Sequence, residues 1–201
     1  MKRPAGAFDT EIGGSDPAEL TRAAHESAAA LLARARSDRD GTVGQRMTAW
    51  VDEHGLDTLA ELWSRAHPAS LPGALWRVYV VRSVIVQQGA ETALAFERGR
   101  AQIPGIDPVI AGAATPAGPG EIRVVAEEIL RGVYAGDVAH AFERAGAFAR
   151  VCSAGYIDLA HDAEPTEPER ASVLTTRADR LALVASELGA CARLWRIGSL
   201  D

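Results

Sequence analysis

The segment SLPGALWRVYVVRSVIVQQ, residues 70–88, decides the fold. Val78, Tyr79, Val80, Val81, Val84, Ile85 and Val86 are β-branched or aromatic, which is the composition of a strand. A strand has to pair, however, and no second run of this kind occurs in the chain. Pro72 stands where a first helical turn would begin. The segment therefore reads as a central helix, apolar on most sides. It is also the longest apolar stretch, and Arg77 and Arg82 interrupt it, so it is too short and too charged to span a membrane.

Outward from this centre the signals are helical. Asp16, Pro17 and Glu19 form a cap, a first-turn proline and an acidic third position, opening a helix that runs to about Arg36. Ser37 to Gly44 is a polar break. Gln45–His54 reads as a second helix stopped by Gly55, and Asp57 to Ala66 as a short third. Gly89 ends the central helix, and another follows from Ala90 to Gln102. Residues 1–15 read as a frayed arm without period.

Residues 104–120 hold four prolines and four glycines and read as a non-helical, accessible segment joining two helical halves, 16–103 and 121–197, of a single domain over 16–201. Beyond it, Ile122, Val125, Ala126, Ile129, Leu130 and Val133 follow the i, i+3, i+4, i+7 rule. Asp137 caps a further helix, whose apolar face runs from Val138 to Cys152. Asp158 to Pro168 is acidic and reads as a break. In the last helix, Glu169 to Ile197, the residues Leu174, Ala178, Leu181, Ala185, Leu188, Ala192 and Trp195 alternate spacings of four and three, a heptad seam held for three repeats. Such a helix is about 40 Å long. With no other helix free to cover it along that length, the seam is expected to pair in part across a two-fold axis of a homodimer. The alternative is a monomer with the first helix lying along it. The fold class is all-α: a multi-helix bundle with a long C-terminal helix.

Composition agrees. The 201 residues include 39 alanines and no asparagine, and 20 of the 21 basic residues are arginine. Aromatics are 5%, the mean hydropathy is −0.03 and the net charge is −6, so attraction to nucleic acid or anionic lipid is not favoured. Cys152 and Cys191 fall on apolar faces and read as small buried hydrophobes. The start of the chain offers no apolar signal segment, and the expected location is cytoplasmic.

No motif fixes an activity. His140 and Glu143 sit three apart on one helix, but there is no second copy and the five histidines share no ligand spacing, so neither metal nor cofactor is expected. Asp137, His140 and Glu143 near Ser153 or Ser172 lack the order of a nucleophile, base and orienter. Residues 45–66 have a helix-turn-helix outline, yet the second helix carries Asp57, Glu61 and only Arg65, which argues against DNA.

Trp76, Arg77, Tyr79 and Arg82 form the candidate ligand site. Arg77 and Arg82 lie about 140° apart on a helix and do not share a face; the bland reading is that each pairs with a carboxylate of a neighbouring helix. The string Leu71-Pro72-Gly73-Ala74-Leu75-Trp76-Arg77-Val78-Tyr79, with Gly136-Asp137-Val138 and the Phe142-to-Cys152 helix, resembles a family of uncharacterised all-helical actinobacterial proteins over about residues 40–197. The resemblance implies a helical fold and no activity. Two expectations follow. One is a non-enzymatic interaction or regulatory protein built on the seam. The other is a small-molecule-binding protein or enzyme with a pocket near Trp76, Arg77 and Tyr79. A deep pocket with buried, convergent polar groups favours the second, and a solid core with a large external apolar face favours the first.

Overall fold

A computed structural model describes residues 16–38, 40–103, 105, 111–112 and 118–201. Among these are eight helices and no strand: α1 (Pro17–Ser37), α2 (Thr42–His54), α3 (Asp57–Trp63), α4 (Leu71–Gln87), α5 (Gly89–Gln102), α6 (Pro119–Ala135), α7 (Val138–Ala163) and α8 (Pro168–Arg196). The all-α class and the long C-terminal helix stand.

The decisive segment is helix α4. Ser70 caps it by accepting from the Gly73 amide at 3.3 Å, and Pro72 lies in the first turn. Gly73 is required there, since a Cβ would fall 2.2 Å from the His67 carbonyl oxygen. Leu75, Val78, Tyr79, Val81, Arg82 and Ile85 are all buried, on more than one side of the helix. Contact on several faces overrides the weak β preference of valine. The predicted caps at Asp16 and Asp137 are present, accepting from Ala18 at 3.0 Å and His140 at 3.1 Å.

Helices α5, α7 and α8 form a close-packed layer. Gly99 of α5 and Gly155 of α7 let two backbones touch: a Cβ at Gly99 would sit 1.8 Å from the Val151 oxygen, and one at Gly155 1.7 Å from the Ala95 oxygen. Phe96 and Phe148 stack beside this crossing with centroids 5.2 Å apart. Ser153 donates across to the Ala178 carbonyl of α8 at 2.8 Å.

Two expectations are corrected here, and one causes the other. The acidic stretch from Asp158 is not a break: α7 continues to Ala163 and only 164–167 turn. Leu159, Ala160 and Ala163 prolong its buried face, while Asp158 and Asp162 point outward to Arg98 of α5 at 2.9 and 3.0 Å. At 26 residues, α7 is about 39 Å long. It is thus the equally long partner that the seam needed. Leu174, Ala178, Leu181, Ala185, Leu188 and Ala192 are buried against it within one chain. The seam is covered within the chain as one side of an intramolecular hairpin. Trp195, at its end, is half-buried, with the Arg36 guanidinium of α1 over its ring at 5.2 Å. Helix α1 packs on α4 and α6 and does not run along the seam.

Smaller corrections concern boundaries. Helix α2 begins at Thr42, and α3 stops at Trp63. Of the 104–120 segment, Ala111 is helical and fully buried, contrary to the non-helical, accessible reading, and Pro119–Gly120 are exposed but open α6, contrary to its non-helical part. Gly105 and Gly112 are exposed bend and turn residues, as that reading expects, and positions 104, 106–110 and 113–117, with the 1–15 arm, lie outside the described residues. Cys152 and Cys191 are buried free thiols.

Candidate functional site

Helix α2 is built differently from the α7–α8 hairpin. Of its 13 residues only Val51 is fully buried, while Val43, Met47 and Trp50 pack half-buried on the core. Glycines in the left-handed region flank it: Gly41 with φ 66° and Gly55 with φ 78° and ψ −171°, a conformation essentially restricted to glycine. No atom crowds either one. Asp38 fastens the first turn. Its carboxylate accepts from the Val43 amide at 2.7 Å and the Thr42 hydroxyl at 2.9 Å, and these bonds, the Val43 bond foremost, hold its pKa below the ordinary value.

Along its inner side α2 forms one wall of two cavities. The first, of about 250 Å³, lies between Gln45 and Thr48 of α2 and Glu127, Arg131 and Tyr134 of α6. Gly44 sits at its edge, where any Cβ would meet the Tyr134 ring at 3.1 Å. The second, of about 180 Å³, lies between Val51 and Asp52 of α2, Leu56 beyond it, and Tyr79, Arg82 and Ser83 of α4.

A buried polar network separates the two. The Tyr79 and Tyr134 hydroxyls are 2.7 Å apart, and both residues are buried. Arg82 is 5% exposed and holds Asp52 in a bidentate pair at 2.7 and 2.9 Å, while Glu127 accepts from its Nε and Nη2 at 3.2 and 3.0 Å. Loss of hydration opposes the charge of Arg82. The Asp52 hydrogen bonds and the negative charges of Glu127 and Asp52 outweigh it, and its pKa is raised. Burial pushes Tyr79 up to about 12 and Tyr134 well above its usual value. At neutral pH both are therefore phenols that donate and accept hydrogen bonds, and neither is a base. Every member lines one cavity or the other: Tyr134 and Glu127 the first, Tyr79, Arg82 and Asp52 the second.

The structure divides the residues expected to form a pocket. Tyr79 and Arg82 meet at the second cavity. Arg77 turns away to Glu187 of α8, its Nη1 donating to the Gly73 carbonyl at 2.8 Å. Trp76 packs half-buried on the core. The two arginines thus pair with carboxylates of different helices, as their angular separation requires. Glu143 is engaged by Arg196 at 2.7 Å, and this pair is the foremost cause of its lowered pKa. Among the described residues no group of three or more His, Cys, Asp or Glu is placed to hold a metal ion.

Asp52, Glu127 and Tyr134 were missed by sequence reasoning. A signal existed for the carboxylates: an arginine inside an apolar segment has to be neutralised from neighbouring helices. Tyr134 lies one position beyond the apolar period of α6 and carried no mark of its own. Comparison of the chain with protein families, curated proteins and solved structures finds no match. The reading of the site rests on its geometry.

Proposed function

We propose that the chain is a non-enzymatic, small-molecule-binding regulatory protein whose ligand site is the pair of cavities beside α2. The carrying observation is the placement of two concave spaces on either side of the Tyr79–Tyr134 and Arg82 network, against a helix with a single fully buried residue. Concave sites with few, fixed polar groups are where small ligands bind. A thinly buried wall supplies the motion that a regulatory readout needs. Binding is favoured over catalysis because the tyrosines are neutral phenols and Arg82 is held charged by its carboxylate partners, a recognition group and not a proton carrier. Both cysteine thiols lie elsewhere and are pushed up by burial, Cys191 to about 11.

A cytoplasmic location belongs to the same proposal, supported by the two buried free thiols. No helix among the described residues is long and apolar enough to cross a membrane.

The test is a small-molecule screen by thermal shift on three proteins: the wild type, Thr48→Trp, which fills the first cavity, and Ser83→Trp, which fills the second. Compounds that stabilise the wild type should lose their effect in one or both filled variants. Hits retained by both variants, or no hits, contradict the proposal.

A further inference from the structure

We infer that the second cavity takes a small carboxylate with an apolar body, and that Asp52 occupies the ligand's place on Arg82 until it arrives. This rests on the binding role proposed above and names its ligand class.

Four observations carry it. Arg82 is buried, yet one of its two carboxylates, Asp52, has a side chain that is 48% exposed and stands at the cavity rim. The Asp52 pair is bidentate, the geometry in which a guanidinium recognises any carboxylate. The rest of the lining is Val51, Leu56, Val86 and the Tyr79 ring, with Gly55, Ser83 and Gln87, which gives an apolar body a surface to pack on. Finally, Asp52 is carried by α2, the thinly buried helix between Gly41 and Gly55.

The exchange conserves charge. When Asp52 swings into water, for which its exposure prepares it, Arg82 keeps Glu127, so its charge is never left unpaired. The incoming carboxylate restores the second partner. The exchange also cuts the ion pair that joins α2 to α4, so ligand binding at α4 is read out as loosening of α2. Asp52 acts as a tethered competitor of high effective concentration, which makes the wild type a weak binder by construction.

Benzoate, benzamide and benzylamine share a shape and differ in charge, and they are the probes. Titration calorimetry on wild type and Asp52→Asn should show benzoate binding tightened by about tenfold or more in the variant. Benzamide and benzylamine should gain nothing. Arg82→Lys should lose the benzoate gain when combined with D52N. The wild type supplies the same test without a variant: benzoate should speed hydrogen exchange in residues 42–54 and leave α7 and α8 unchanged. Benzoate binding no tighter in D52N, or α2 exchange slowed or unmoved at saturation, overturns the inference. Benzamide or benzylamine binding that Ser83→Trp abolishes, with benzoate inert, overturns the carboxylate while leaving the binding role intact. Screening hits indifferent to both cavity-filling variants remove the binding role itself.

Discussion

The α5–α7–α8 layer and the α2–α4–α6 junction hold their helices together by opposite means. In the first, small residues bring backbones into contact over a mainly apolar interface, with ion pairs such as Arg98–Asp158 at its edge. Seventeen of the 26 residues of α7 are buried. In the second, a helix with one fully buried residue of 13 is tied by an ion pair at Arg82, by the approach of Gly44 to Tyr134, by the Asp38 cap and by half-buried Val43, Met47 and Trp50. Close packing has one arrangement and resists displacement. Polar ties to half-exposed partners exchange with water or with a ligand. The cavities lie where that second kind of contact is used. On the proposed binding role, the hairpin is the scaffold and α2 the displaceable wall.

Changes in the layer should have the largest effects. Gly155→Ala places a methyl group 1.7 Å from the Ala95 oxygen, in a contact between two backbones with no flexible side chain to give way. It should destabilise by more than about 3 kcal/mol in urea denaturation, or prevent folding. A loss below about 1 kcal/mol would mean that α5 and α7 are not in contact there. Leu188→Ala, at a fully buried seam position, should cost about 3 kcal/mol. The charged change Leu181→Glu should abolish the helical fold, because the seam is covered within the chain. A folded L181E of unchanged helicity would show instead that this part of the seam faces outward.

At the junction the expected effects are smaller. Tyr134→Phe strands the buried Tyr79 hydroxyl and should cost about 1–2 kcal/mol. Adding Tyr79→Phe removes the stranded group, so the double variant should lose less than the sum of the two single losses. Simple additivity would show that the hydroxyls do not interact. The same pair has a pH signature. Both phenols have folded pKa values above the unfolded value near 10, Tyr79 at about 12. Their contribution is fully present below pH 10 and is lost as pH rises through the folded values. Wild-type stability should therefore fall more steeply above pH 10 than that of the double variant. Asp38→Ala, which uncaps α2, should have the smallest effect on global stability and speed exchange in α2 while leaving α7 and α8 unchanged.

What the sequence disclosed follows the same division. The helices of the layer announce themselves through apolar period and heptad spacing, and their caps through Asp16 and Asp137. Even the strand-like run at 78–86 yields to the absence of a pairing partner. The seam was legible but its partner was not. The acidic residues of 158–163 look like a break, and only the structure shows Asp158 and Asp162 turned toward Arg98 while Leu159 and Ala163 stay inside. The site was half legible. Tyr79 and Arg82 stand out in an apolar segment, whereas Asp52 and Glu127 resemble ordinary surface carboxylates of amphipathic helices until the fold sets them against Arg82. Pairing across helices leaves no spacing rule to read.

Native-state hydrogen exchange on the unliganded chain tests the central claim most directly. Amides of α2 should open with a free energy at least about 2 kcal/mol below that of the α7–α8 hairpin, and their opening should not carry α7 or α8 with it. If the amides of residues 42–54 instead exchange only with global unfolding, α2 is an integral part of the core, and a displaceable wall beside the cavities is ruled out.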